Sequence, residues 1–206
     1  MSRRSPFATL RILLTVAIFT TASLFSPPTP AADPQGRFGI KGPGATTCST
    51  FVDAIRRRTE NAYLYGGWVY GYLTSFNQFA PDTFDVAPWE DLETLVDYLV
   101  AHCERQPDQS FAQAVFQLAE ALKVSRLTVP STVIEATSGG NRVRIYEAVL
   151  RRAQEALVAR GHLAADGVTG MYDEPTRAAL TAFQTAARLT VTGLPDRFTL
   201  HQLLRR

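Results

Sequence analysis

The sequence predicts an all-α protein, with a disulfide-linked four-helix domain in front and a three-helix domain at the C-terminus. Three observations predict it. Apolar residues recur at three- and four-residue steps through most of the chain. Two cysteines, Cys48 and Cys103, fall 55 positions apart within the front helical pattern. Near the end one turn sequence is written twice, VTGMYDEPT at residues 168–176 and VTGLPDRFT at residues 191–199, an offset of 23.

The chain opens on Arg3, Arg4 and Arg11, then an uncharged, mostly apolar run at residues 12–25, then SPPTPAA at residues 26–32. That order reads as a signal peptide over residues 1–32, cut after Ala31 or Ala32. The run has fourteen residues, four of them Thr or Ser, against the roughly 20 apolar residues a spanning helix needs. Export to the periplasm or beyond is expected, and stable membrane insertion is not.

Charge divides the remainder. Residues 33–123 carry seven Lys/Arg against twelve Asp/Glu, a net −5, whereas residues 124–206 carry eleven against seven, a net +4. The asymmetry predicts two modules with different surfaces. Neither half has a dense basic stripe with stacking aromatics, so nucleic acid is not an expected partner. In an exported protein two lone cysteines form one disulfide, Cys48–Cys103, more readily than a metal site.

Residues 33–45 hold four glycines and show no periodicity, which reads as a flexible leader. The helical domain follows at residues 46–123. Thr46 or Thr47 can cap a first helix burying Phe51, Ala54 and Ile55. The second segment, NAYLYGGWVYGYLTSFNQFA, is aromatic on more than one side, as a central helix would be. Its Gly67 and Gly71 share a face, and each costs about 1 kcal/mol relative to alanine, which predicts a close helix backbone or a ligand cleft beside them. Pro88 opens a third helix with Glu90, Asp91 and Glu93 in its first turns and Leu92, Leu95, Val96, Leu99 and Cys103 on its inner stripe. Ser110 can cap a fourth, with Phe111, Val115, Leu118, Ala119 and Leu122 inside.

Residues 124–140, with Pro130 and the SGGN sequence, read as a linker, although TVPSTVIEA can also pair as a strand. The C-terminal domain, residues 141–206, begins with a helical stripe of Tyr146, Val149, Leu150, Ala153 and Leu157 that ends at Gly161. In each copy of the repeated turn Gly170 or Gly193 frees the backbone, and Asp173 or Asp196 accepts N–H bonds from the helix that follows. The repeat is thus a device for starting two helices.

These residues resemble the peptidoglycan-binding-like domain found at the ends of many bacterial cell-wall enzymes. The family's first helix is matched by Leu150, Ala153, Gln154, Leu157 and Gly161. Its first turn is matched by Val168, Gly170 and Tyr172, the helix after it by Thr176, Phe183 and Gln184, and the second turn and helix by Val191, Gly193 and Thr199. Thr169 and Asp173 stand where the family often has aspartate and a second glycine. The resemblance implies a three-helix module that binds peptidoglycan without catalysis. Tyr172, Asp173, Arg177 and Gln184, on or beside the first turn, are the expected ligand-binding face, with Leu180 and Phe183 in the core.

The front domain resembles, in its pattern of cysteine, tryptophan, glycine-tyrosine and cysteine, periplasmic helical proteins of the HdeA/HdeB acid-chaperone type and immunity proteins that neutralise secreted wall amidases. Catalytic signals are absent from the sequence. The three histidines His102, His162 and His201 show no metal-ligand spacing, and no nucleophile elbow is present. Glu90, Asp91, Glu93 and Asp97 read as a solvated helix face rather than a glycosidase carboxylate pair. No enzyme activity, metal or cofactor is expected. The sequence therefore predicts a wall-associated, noncatalytic protein whose helical domain meets a protein partner. Immunity-type inhibitor and acid-stress chaperone are the alternatives, and wall hydrolase ranks last.

Overall fold

The computed structural model describes residues 32–205, so all but the last residue of the expected signal peptide lies outside the described residues. Two compact units divide the chain, Met1–Gly39 and Ile40–Arg206. In the first, the Asp33 carboxylate closes a turn by accepting hydrogen bonds from the Gln35 and Arg37 amides and pairing with the Arg37 guanidinium at 2.9 Å. Every described helix and strand belongs to the second: seven α-helices and one two-stranded sheet.

Helix α1 (Cys48–Arg56) starts where the Thr47 hydroxyl accepts the Thr50 amide, satisfying a donor that the helix itself cannot. Helix α2 (Asn61–Phe79), expected as a central helix, instead buries one stripe of Tyr65, Gly66, Val69 and Leu73 and exposes the opposite face, and α3 (Leu92–Cys103) and α4 (Phe111–Leu122) follow it. Cys48 and Cys103 are fully buried and joined, tying the start of α1 to the end of α3. Beside the disulfide the rings of Phe51, Tyr65 and Phe111 pack with centroids 4.6–5.2 Å apart, an aromatic core of the kind that dominates small domains.

Several expectations shift in detail. Ser110 makes no capping bond to α4; its hydroxyl donates instead to the Gly44 carbonyl. Part of the stretch expected as leader joins the fold, since Gly42–Ala45 forms a 3-10 turn and the Trp68 indole donates to the Lys41 carbonyl at 2.9 Å. Gly67 and Gly71 meet neither a helix nor a cleft wall, for nothing lies within 4 Å of a Cβ at either position. The close approaches are at Gly44, where a Cβ would lie 2.3 Å from the Trp68 ring, and at Gly66, 2.9 Å from Leu92.

Residues 124–140, expected as a linker, carry a strand. Strands β1 (Val133–Ser138) and β2 (Asn141–Tyr146) pair antiparallel from Val133↔Tyr146 to Ser138↔Asn141. Gly139 and Gly140 form the two-residue connection with φ +55° and +78°, the left-handed pair that a tight hairpin demands and that glycine adopts without a Cβ clash. Tyr146, expected in the helical stripe, is the last residue of β2, and α5 (Glu147–Ala159) starts after it. Helices α6 (Glu174–Ala186) and α7 (Arg197–Leu204) follow the two repeated turns. Val149, Leu150, Ala153 and Leu157 of α5 are wholly buried against Leu180 and Phe183 of α6 and Leu200 and Leu203 of α7.

Candidate functional site

The repeated turn is built around two buried glutamines. Gln154 on α5 and Gln184 on α6 are both fully excluded from solvent. The Gln154 amide oxygen accepts the Gly170 N–H at 2.7 Å, while its nitrogen donates to the Met171 carbonyl at 3.0 Å and the Thr176 hydroxyl at 2.8 Å. Gln184 repeats the arrangement one turn later. Its oxygen accepts the Thr192 and Gly193 amides at 2.9 and 2.8 Å, and its nitrogen donates to the Leu194 carbonyl and the Thr199 hydroxyl, both at 2.9 Å.

A primary amide suits the turn because its oxygen accepts the backbone N–H while its NH2 donates to both a carbonyl and a threonine hydroxyl. Each turn then launches its helix. Asp173 accepts the Thr176 amide and hydroxyl at 3.0 and 2.6 Å, and Asp196 accepts those of Thr199 at 2.9 and 2.8 Å. Glycine is obligatory before each aspartate: Gly170 and Gly193 have φ of +76° and +69°, and a Cβ on Gly170 would meet Arg151 and Glu147 within 2.9 Å.

A family model described as a peptidoglycan binding domain matches residues 147–203. Over those residues the C-terminal region is similar to that family. No curated protein and no solved structure gives a significant match to the chain.

Of the residues expected to face the wall, the C-terminal region brings three to one patch and removes the fourth. The Tyr172 hydroxyl donates to the Gly193 carbonyl at 2.8 Å, locking the first turn to the second. Arg177 is exposed, pairs with Glu174 at 2.7 Å, and runs its aliphatic stem past Gly193, whose Cβ would lie 3.2 Å from Arg177 Cγ. Burial disfavours ionisation of Asp173, but hydrogen bonds from the Thr176 hydroxyl and amide and from Thr169 outweigh it and hold the carboxyl below its usual range. Gln184 does not belong to the face. It is enclosed beneath it with its amide fully engaged, so its role is to hold the second turn.

The hairpin supplies a residue that a linker would not. Ser138, at the end of β1, brings its hydroxyl beside the second turn, 3.4 Å from a Cβ on Gly193. Its signal is the SGGN sequence, a two-residue hairpin connection when flanked by alternating strands.

The acidic run of the front domain also needs correction. Asp91, Glu93 and Asp97 remain on a solvated face as expected, and the Arg197 guanidinium at the start of α7 reaches all three at 3.9, 3.3 and 3.3 Å; the departure is Glu90. Glu90 lies outside α3 and is buried, with only 6% of its surface exposed and its Oε2 without a hydrogen-bond partner. Arg152, the nearest compensating cation, spends its guanidinium on the Ser125 and Arg126 carbonyls. Burial pushes the Glu90 carboxyl up from 4.5 to about 7, aided by Asp85 and opposed by backbone amides and Arg152.

That shift fixes a pH dependence. A carboxyl bound more tightly by its proton in the folded state contributes stability that is complete below pH 4.5 and lost as pH rises through about 7. The expected loss at pH 8 is up to about 3 kcal/mol. Urea unfolding at pH 5 and pH 8 should show Glu90→Gln losing less stability with rising pH than wild type; equal slopes would mean that Glu90 does not contribute to the pH dependence.

Proposed function

We propose that the protein is a noncatalytic exported adaptor of the cell wall. Its C-terminal domain holds peptidoglycan through the patch of Tyr172, Asp173 and Arg177, and its helical domain is presented to a protein partner. The observation that carries the reading is the family match over residues 147–203, a domain of binding rather than catalysis.

The surface of the front domain supports the second half. Helix α2 exposes Tyr63, Leu64 and Tyr70, with Tyr63 86% exposed, beside the open Gly67 and Gly71. An apolar face of this kind on a soluble helix marks contact with another molecule more often than an isolated exposed residue does. Among the described residues no helix is long and apolar enough to cross a membrane, and no group of His, Cys, Asp or Glu side chains is arranged to hold a metal ion.

Incubating purified peptidoglycan with the protein and analysing the supernatant for soluble glycan and peptide fragments tests the noncatalytic reading. No release above buffer is expected. Fragments that appear in proportion to protein and time would make the protein a wall hydrolase.

A further inference from the structure

A cleft of about 1180 Å³ opens in the second unit where α3 and α4 meet α5 and α7. Its volume is ample for a ligand of several residues. Glu90 and Tyr98 line it together with Glu155, Arg105 and Arg205. The charges are of both signs and differ in setting. Glu90 is buried, and one of its oxygens has no donor. Arg105 and Arg205 are exposed, and Arg205 meets uncharged groups, the His201 ring nitrogen at 2.9 Å and the Tyr98 ring at 5.4 Å.

Each feature limits the ligand. A buried carboxylate oxygen with no partner is unfavourable, and a hydrogen-bond donor recovers that cost. A cationic donor recovers most, because it answers the free oxygen and stabilises the ionised form of the buried carboxyl. Two exposed guanidiniums select carboxylates. Leu118, Leu122 and Ala156 between them form apolar walls suited to small side chains. A simple anion leaves Glu90 unanswered, and a hydrocarbon leaves both ends so.

We propose that this cleft binds a short zwitterionic peptide, its ammonium group on Glu90 and its carboxylates on Arg105 and Arg205. That the peptide comes from the wall rests on the proposed function. The site is separate from the Tyr172–Arg177 patch, so one chain would hold the polymer at one surface and a released fragment at another.

The test is calorimetric titration of the full chain with alanyl-γ-glutamyl-diaminopimelic acid, a soluble wall tripeptide, and with the same peptide acetylated on its amines. The free tripeptide should bind at least tenfold tighter than the acetylated form. Glu90→Gln should erase that tenfold preference, and Arg105→Ala, an exposed position that leaves the fold intact, should weaken binding several-fold. Equal binding of the two peptides, indifference to both substitutions, or no binding of the tripeptide at millimolar concentration would overturn the proposal. Pelleting of the same variants with insoluble peptidoglycan separates the two readings. If pelleting persists while tripeptide binding fails, the cleft proposal falls alone; if tripeptide binds while pelleting fails, the wall patch falls alone.

Discussion

Replacing Gln184 by alanine is expected to lower the unfolding free energy by about 4 kcal/mol. The side chain is fully buried and satisfies two amides, a carbonyl and a threonine hydroxyl of the second turn. Removing it strands those groups where water cannot reach them, and each stranded group costs about 1–3 kcal/mol, less whatever local relaxation recovers. Leucine should fare little better, since volume is restored without the bonds. Glutamate should also fail, because an ionised carboxylate cannot donate to the Leu194 carbonyl. Urea unfolding of Gln184→Ala and of Gln154→Ala, its counterpart in the first turn, should give losses of similar size. A loss below about 1 kcal/mol at both positions would mean that the turns hold themselves without the buried amides.

The second large effect belongs to the disulfide. Cys48 and Cys103 close a loop of 55 residues, which on chain-entropy grounds restrains the unfolded state by about 4 kcal/mol. The double substitution Cys48→Ala, Cys103→Ala should lower the urea midpoint accordingly. Because both positions are fully buried among Phe51, Leu99 and Phe111, alanine leaves small voids and adds to the loss. Reduction of the wild-type protein should reproduce most of it without the voids. A reduced protein as stable as the oxidised one would show that the front core stands on packing alone.

How far the sequence reveals this molecule depends on whether a feature is local. The helices are legible because each buries a stripe that repeats every three or four residues, as Leu95 and Leu99 do in α3 and Leu150, Ala153 and Leu157 in α5. The disulfide is legible from two cysteines in a chain that reads as exported. The aspartate caps of α6 and α7 are legible because Asp173 and Asp196 stand three residues before a threonine in the same repeated phrase.

What escapes the sequence is tertiary. Glu90 sits among Asp91 and Glu93 and looks like one more surface acid, yet the loop between α2 and α3 turns it inward and Arg197, about a hundred residues later in the chain, takes the others. The net −5 and +4 of the two halves already imply mutual attraction, and Arg197 against three carboxylates is where it is realised. Gln184 reads as a surface ligand because the resemblance places it with Tyr172, Asp173 and Arg177 on or beside the first turn. Its spacing from Leu180 and Phe183, both in the core, nevertheless places it on the inner stripe. The hairpin is hidden by its glycines, which suit a linker as well as a tight turn.

The most direct measurement for the wall proposal is cosedimentation of the protein with purified peptidoglycan, wild type beside Arg177→Glu. Arg177 is exposed, and its ion pair with Glu174 lies at the surface and contributes little to stability, so the variant should unfold like wild type. Wild type should pellet with the polymer, and Arg177→Glu should shift several-fold toward the supernatant. If wild type stays in the supernatant at polymer excess, the C-terminal domain is a scaffold and the protein is not held at the wall.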